Sequence, residues 1–462
     1  MSGASITFFG GVGTVTGSKA LIESDRSSVL LDCGLFQGLS SLRRRNWEPP
    51  GFAVRDVDAV VLTHAHLDHS GYLPLLVRHG WHGKVYCTDG TTQLAEVVLR
   101  DSAHLQEEEA RQANEGGWTK HRPAVPLYDG GDAERACRLL TSVPYGESTE
   151  IAEGITLTLG RAGHILGSSW AKLDLDTDTG IRTVVGSGDL GRPSHPLLAP
   201  PDPRPAADAL LIESTYGNRR HERWDCPDRL GDAIRRTAQR GGSVLIPAFA
   251  VDRTEMLLHY LMQLKRAGKI PDLPIVLDSP MALSCLQIYR QAVKERWPEL
   301  RPELTEDELF DIEGLIEIHT AQASAHWNDP RQPSIIISAS GMASGGRVLH
   351  HLRHLLPDHK HSVIIAGFAA AGTRARQLTD GATQVKIHGR YVPVRSEVLV
   401  LNAMSAHADC DELYDWATAA RPPATCYVVH GEPSSSHELA ARLHDGAGWT
   451  AVVPTPGERV LI

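Results

Sequence analysis

Nine consecutive residues, Thr63-His64-Ala65-His66-Leu67-Asp68-His69-Ser70-Gly71, hold four side chains of metal-binding type. They follow an apolar run, Ala59–Leu62, that reads as a buried strand. In extended backbone, residues two apart point the same way, so His64 and His66 can face one metal. Asp68 and His69, at the turn into the next helix, can face a second. Polar side chains at a buried strand end are costly unless paired. A polar, histidine-rich loop leaves that cost unmet, whereas a divalent ion meets it. Three more residues of ligand type follow strands read downstream: His164 in Ala162-Gly163-His164-Ile165-Leu166-Gly167-Ser168, Asp189 in Gly188-Asp189-Leu190-Gly191, and His430 in Val428-Val429-His430-Gly431-Glu432. A lone histidine after a strand is ordinarily structural. Three such positions in a chain already holding the first cluster point to ligands. Imidazole and carboxylate suit Zn²⁺, though Mn²⁺ or Fe can occupy similar sites.

The elements that must position these residues are short. β-branched runs bounded by turn residues predict strands at Ser5–Phe9, Ser18–Ile22, Ser28–Leu31, Lys84–Cys87, Ile155–Leu159, Ala171–Asp174 and Arg182–Gly186, with a helix over Thr91–Ala113. Proline-rich Pro193–Pro205 reads as a stiff connection and as the edge of a domain. Beyond it strands and helices alternate: strands Ala209–Ile212, Ser243–Ile246, Pro274–Leu277, Ser334–Ser338 and Ser362–Ala366, helices Pro227–Gln239, Arg253–Ala267 and within Met281–Trp297. Such alternation predicts a parallel sheet with helical crossovers. From about Tyr391 the earlier style returns, with strands Glu397–Leu401, Thr425–Val429 and Arg459–Ile462 and helices Cys410–Ala420 and Ser436–Leu443.

Bulk properties bound the class. A length of 462 residues accommodates several domains. No apolar run is long enough for a membrane helix, and Met1 to Phe9 lacks the basic and apolar regions of a signal peptide. The seven cysteines are scattered with no CxxC pair, which suits reduced thiols. A cytoplasmic location is expected. The net charge, −10 from 46 basic and 56 acidic residues, lacks the basic excess common in nucleic-acid binders. Bound divalent metals would supply positive charge where a phosphate must sit.

These motifs resemble the metallo-β-lactamase superfamily. Asp32 in Leu30-Leu31-Asp32-Cys33-Gly34 matches the family's strand-end Asp, His64 to His69 its HxHxDH signature, His164 its third motif and Asp189 its bridging Asp. The resemblance implies that one zinc takes His64, His66, His164 and Asp189. The other takes Asp68, His69, Asp189 and His430, and Asp32 orients ligands from behind. Further matches are to the β-CASP branch: Glu213 in Leu211-Ile212-Glu213-Ser214-Thr215, His407 in Met404-Ser405-Ala406-His407-Ala408-Asp409, and His430 itself. Segments Pro247–Arg253, Asp278–Ala282 and Ser338–Arg347 are also similar to that branch. The resemblance spans essentially the whole chain and is nearest to bacterial and archaeal relatives of the mRNA 3′-end cleavage endonuclease subunit. It implies an α/β fold: an αββα metallo-β-lactamase sandwich from residues 1–200 and 391–462, with an α/β β-CASP domain, 201–390, inserted between. It implies a zinc-dependent ribonuclease with two Zn²⁺ per chain, acting on single-stranded RNA as an endonuclease, with 5′→3′ exonuclease action left open.

By that resemblance Asp68 holds and deprotonates the attacking water, and His407 with Glu213 protonates the leaving ribose oxygen. The glycine-rich stretch Ser340-Gly341-Met342-Ala343-Ser344-Gly345-Gly346, ahead of a helix, could present amides to a phosphate, or be a tight turn. Arg374 and Arg376, with Lys386 and Arg390, could line an RNA path or be solvated surface. The run Gly10–Gly17 is not a nucleotide loop, because a strand and not a helix follows it; a turn beside the metal site is expected. Other histidines, including His79, His104, His121, His259, His319, His351, His354 and His359, show no ligand context and read as surface or core. Competing readings are a DNA nuclease of the same branch, a small-molecule hydrolase and an inactive scaffold. The sequence leaves the RNA target, oligomeric state (a homodimer included) and metal identity open.

Overall fold

The computed structural model describes residues 3–117, 121–221, 226–305, 312, 314–401 and 404–462. Its contacts divide the chain into two compact units, Met1–Arg220 with His407–Ile462, and His221–Ala406.

The first unit is built on two seven-stranded sheets. One runs, in spatial order, Arg459–Leu461, Ser5–Gly10, Lys19–Glu23, Ser28–Leu31, Ala59–Val61, Lys84–Cys87 and Leu140–Ser142. The other runs Ala451–Val452, Thr425–Val428, Ala209–Ile212, Gly180–Gly186, Ser169–Thr177, Ile155–Arg161 and Ser148–Ala152. Alternation along each strand creates two apolar faces per sheet. Ile22, Val29, Leu31, Ala59 and Val61 pack against Leu157, Leu173, Val184 and Leu211 of the facing sheet. Their neighbours Leu21, Leu30 and Val60 turn outward to Leu73, Leu76 and Leu99 on helices. On the far side Val185, Leu210 and Val428 meet Leu413, Trp416, Leu439 and Leu443 on the two C-terminal helices. The result is an αββα sandwich.

The second unit holds a six-stranded parallel sheet, in the order Leu315–Glu317, Ile275–Leu277, Ile335–Ser338, Val244–Pro247, Ser362–Ala366 and Glu397–Leu401. Both faces are covered. Ile246, Leu277, Ile337 and Ile364 pack with Leu257, Leu261 and Leu286 of the helices on one side, and Leu245, Val276, Ile336 and Val363 with Val348 and Leu352 on the other. This explains why these strands read as unbroken apolar runs.

Two strands lie elsewhere than expected. Ala209–Ile212 follows the proline-rich segment yet pairs in parallel with Gly180–Gly186 and Thr425–Val428. The stiff connection is therefore an excursion within the first unit, held down where the Arg204 guanidinium donates to the carbonyls of Ala417 and Ala420. Glu397–Leu401, expected with the tail, pairs in parallel with Ser362–Ala366. Polar Glu397 has a reason to be there: Arg236 and Arg240 donate to its carboxylate at 2.7 and 2.9 Å.

A candidate metal centre

Asp32, His64, His164, Asp189, Glu213 and His430 each lie within three residues past the end of a strand of the sandwich. His66 precedes, and Asp68 and His69 lie within, the short helix Leu67–Ser70, and His407 bridges to Gly191. Two close approaches of backbone bring them together. A Cβ on Gly34 would sit 1.6 Å from the Asp68 carbonyl oxygen, and one on Gly191 would sit 1.6 Å from that of Gly163. Glycine at the first lets the Asp32 strand lie against the HxHxDH turn, fixed by bonds from Cys33 N to His69 O and from Leu35 N to Leu67 O, 2.7 and 2.8 Å. Glycine at the second lets the segments carrying His164 and Asp189 touch.

Two donor clusters result. In the first, the ligand atoms of His64, His66, His164 and Asp189 all lie within 4.8 Å of one another. His66 Nδ1 is 3.1 Å from His64 Nε2 and 3.3 Å from His164 Nε2. In the second, Asp68, His69 and His430 converge, with His69 Nε2 to His430 Nε2 at 3.1 Å. Asp189 reaches both: Oδ2 is 3.5 Å from His64 Nε2, and Oδ1 is 3.2 Å from His69 Nε2 and 3.3 Å from His430 Nδ1. A single nitrogen cannot be donor to one neighbouring nitrogen and acceptor from all the others, so hydrogen bonding alone does not satisfy these clusters. A cation that takes every lone pair does, and the residues fit a divalent metal. The charge states of His64, His164 and Asp189 agree, whereas at His69 burial is outweighed by the Asp189 and Asp32 carboxylates, which raise the imidazole well above its usual range, so a metal there would displace a proton. Burial, with His69 beside it, holds the His64 imidazole well below its usual range, and burial with His407 beside it does the same for His164. Burial opposes the Asp189 carboxylate, but the imidazoles of His430, His69 and His64 more than offset it and hold the acid well below the usual carboxylate range. Neutral imidazoles and an ionised carboxylate are the forms that bind metal.

Behind the clusters, Asp32 accepts from His69 Nδ1 at 2.7 Å, and from the Thr63 amide and hydroxyl at 2.8 and 3.0 Å. Thr63 Oγ1 in turn lies 3.1 Å from His64 Nδ1. One carboxylate thus aims a ring from each cluster. Asp32 sits at φ +59, and His430 at φ +47, a left-handed conformation that L residues hold only where surrounding structure over-determines it. The Thr63 link was missed in the sequence, although a hydroxyl beside the first histidine was its signal. Asp32→Asn keeps the local backbone preference and removes the charge. It is expected to weaken metal binding about 10–100-fold, read by competition with a chelator; unchanged affinity would show that Asp32 does not support the ligands.

Beside the clusters lies a second pair. His407 Nδ1 is 3.2 Å from Glu213 Oε1. Glu213 also accepts from the Leu190 amide at 2.7 Å and the Thr215 amide at 3.2 Å, so it is held fast next to Asp189. His407 Nδ1 approaches Asp189 Oδ2 at 3.9 Å. Burial disfavours the imidazolium, yet the Glu213 carboxylate, with Asp189 and Asp68, raises His407 above its usual value. Asp189, Glu213 and His407 also converge closely enough to hold an ion.

With this geometry in view, the comparisons with known proteins fall into place. Residues 13–144 match the model of the metallo-beta-lactamase superfamily, 254–378 that of the Beta-Casp domain, and 391–454 that of the Zn-dependent metallo-hydrolase RNA specificity domain. Ribonuclease TTHA0252 of Thermus thermophilus is 36% identical over 92% of this chain and 92% of its own. The chain belongs to the β-CASP branch of the metallo-β-lactamase superfamily. Transcription termination factor FttA of Methanocaldococcus jannaschii is 30% identical over 94% of this chain and 68% of its own, and that of Pyrococcus abyssi 32% over 97% and 70%. A solved structure, a protein of unknown function from Enterococcus faecalis, covers 100% of both chains with a TM-score of 0.53 at 14% identity, a likeness of fold alone. As a member of this branch the chain is a metal-dependent hydrolase.

The β-CASP positions proposed to touch phosphate are themselves engaged. The Ser344 amide donates to Ser340 Oγ at 3.0 Å, and the Ala343 amide to the Ser340 carbonyl at 3.0 Å. A Cβ on Gly341 would come within 2.8 Å of the Phe249 amide nitrogen. Gly345 and Gly346 complete the turn into helix Val348–Leu355. Arg374 donates to the carbonyls of Ala343, Ser344 and Lys386, at 3.1, 3.2 and 2.6 Å, and Arg376 pairs with Asp380 at 3.0 Å. Arg374 anchors the loop. Another network was not read from the sequence: Asp278 accepts from Ser324 Oγ at 2.5 Å, His351 Nε2 at 2.7 Å and Arg347 Nη1 at 2.7 Å. It ties segment Asp278–Ala282 to the end of Ser338–Arg347, a link that neither stretch shows in the sequence. Among the described residues, the six cysteines whose side chains are defined are free and buried, and no helix is long and apolar enough to cross a membrane.

Proposed function

We propose that the chain hydrolyses phosphodiester bonds of single-stranded RNA, using two divalent ions, Zn²⁺ first among them, held by His64, His66, His164, Asp68, His69 and His430, with Asp189 shared. The observation that carries this reading is the Glu213–His407 pair, 3.2 Å apart and bordering the shared Asp189. A phosphodiester with a ribose leaving group needs a proton donor there, whereas a thioester, whose thiolate departs without a proton, does not. The named activity of the Thermus relative, a ribonuclease, agrees with it. Ions so held would polarise phosphoryl oxygens and acidify a water.

The residues divide the rest of the work. Asp68, facing His430 Nε2 at 3.8 Å, accepts a proton from the attacking water. Burial opposes its charge, but the His430 hydrogen bond and the neighbouring imidazoles keep it ionised. As the P–O bond to ribose breaks, His407 delivers its proton to the departing oxygen. Glu213 orients the ring and favours its charged form. For the domains, we propose that the hydrolase part is the discontinuous unit Met1–Arg220 with His407–Ile462, which gains the strand Ala209–Ile212 and loses Glu397–Leu401 relative to the 1–200 and 391–462 expected from the sequence. In the β-CASP part the turn Ser340, Gly341, Ser344, Gly345 and Gly346 and its anchor Arg374 hold one another, and Arg376 holds Asp380, so their proposed role is to shape that loop.

The substrate class is tested by parallel cleavage of one sequence as single-stranded RNA, duplex RNA and single-stranded DNA. The single-stranded RNA is expected to be cut fastest. Equal rates on duplex RNA, or faster cutting of DNA, would overturn the reading.

A further inference from the structure

Four residues past Asp32 the chain enters a segment that none of the roles above uses. Phe36 is buried, and its backbone is clamped from both sides by one side chain: its amide donates to Asn46 Oδ1 at 2.9 Å and its carbonyl accepts from Asn46 Nδ2 at 2.8 Å. Arg45 lies over the Phe36 ring, 4.1 Å from its centroid, and donates to the Phe9 carbonyl at 3.1 Å. Between these anchors run a short helix, Ser40–Arg44, and a 3₁₀ turn, Arg45–Trp47. These contacts tie the turn to Phe36 and to the strand Ser5–Gly10.

The outward face of this turn is unusual. Trp47 is 60% exposed and Leu39 45%. Trp47 is the one exposed tryptophan among the described residues. An indole this exposed is a side chain of the kind that interfaces use, a broad ring with one polar edge. Arg44 and Arg43 stand three and four residues before Trp47, a spacing that in helical backbone places them on the same face as the indole. Both are exposed, and neither makes an ion pair with any described residue. The one acid of the segment, Glu48, acts on Arg45. On a chain of net charge −10, two uncompensated guanidinium groups beside an exposed indole form a local exception.

The chemistry of the face selects its occupant. Arginine pairs with phosphate, an indole stacks on any base, and the combination is how single strands are held without sequence preference. Four residues span at most ~14 Å, so the Phe36 anchor lies close to Asp32 and to the imidazole it orients, His69. We propose that Arg43, Arg44 and Trp47 form a stacking and phosphate-binding subsite that grips single-stranded RNA a few nucleotides from the cleaved bond. This rests on the ribonuclease reading above.

The test compares wild type, Trp47→Ala, Trp47→Phe and Arg43→Ala/Arg44→Ala as full chains. Each is given a long single-stranded RNA and, separately, a small nitrophenyl phosphodiester that cannot reach the patch. Trp47→Ala is expected to raise KM for the RNA on the order of ten-fold, with kcat and small-diester hydrolysis unchanged and with Trp47→Phe restoring most of the loss. The double arginine variant is expected to raise the RNA KM and to lower the slope of log affinity on log salt by about 0.7 per arginine. Wild-type KM and salt slope in all three variants would overturn the proposal; an acidic protein partner for this face would give that result. If wild type hydrolyses the small diester and no RNA, the ribonuclease reading fails, and the subsite with it.

Discussion

His407→Ala is expected to keep its metals and its fold and to cleave RNA about 10²–10⁴-fold more slowly. The ring is not needed to complete either donor cluster. Its Nδ1 faces Glu213 at 3.2 Å, which orients the ring for proton delivery. The loss should shrink on a diester with a nitrophenolate leaving group, because that oxyanion hardly needs a proton. Glu213→Gln should follow the same pattern more weakly, since it leaves the ring and removes the charge that favours its protonated form. Equal slowing of both substrates, or loss of metal from His407→Ala, would make His407 a ligand or a positioning group, a role that its approach to Asp189 at 3.9 Å allows.

Asp189→Ala should behave differently. It removes the oxygens that reach both clusters, Oδ2 toward His64 and His164 and Oδ1 toward His69 and His430. Metal content should fall, and activity should fall by roughly 10³ or more, because a bound ion is worth several kcal/mol to a phosphoryl transition state. Both leaving groups should be affected alike. Thermal stability should fall too, because four buried imidazoles then face one another without a counter-charge and without the ions whose binding stabilises the folded state. A variant with full metal content, or one that still cut the nitrophenyl diester at the wild-type rate, would remove Asp189 from its shared position.

The convergence of the donor residues was legible because they are chemically conspicuous and most of them follow an apolar strand within three residues. His64 and His66 could be placed on one side by the two-residue period alone, and Ser28–Leu31 and Ala209–Ile212 have the bounds that the sequence predicts. What the strand pattern cannot carry is pairing. Ala209–Ile212 looks like the first strand after a linker, and only its register with Thr425–Val428, far along the chain, places it in the sandwich. Glu397–Leu401 misleads in the opposite direction, because its partner is Ser362–Ala366. Short polar strands such as Ser148–Ala152 and Leu140–Ser142 lie at sheet edges, where half-exposed side chains erase the apolar signal. Long-range side-chain bonds were hidden for the same reason. Nothing local in Asp278 announces His351, and nothing in Arg374 announces that its guanidinium closes on the carbonyls of Ala343 and Ser344.

The central claim, that converging imidazoles and carboxylates on this sandwich form a metal-dependent ribonuclease centre, is tested most directly by incubating the purified chain with 5′- and 3′-labelled single-stranded RNA, with and without a chelator. Internal cuts visible from both labels are expected. They should be abolished by the chelator, restored by added Zn²⁺ or Mn²⁺, and absent in His64→Ala. Cleavage that persists at full rate after the chelator has removed all bound metal, or equal cleavage by His64→Ala, would contradict it.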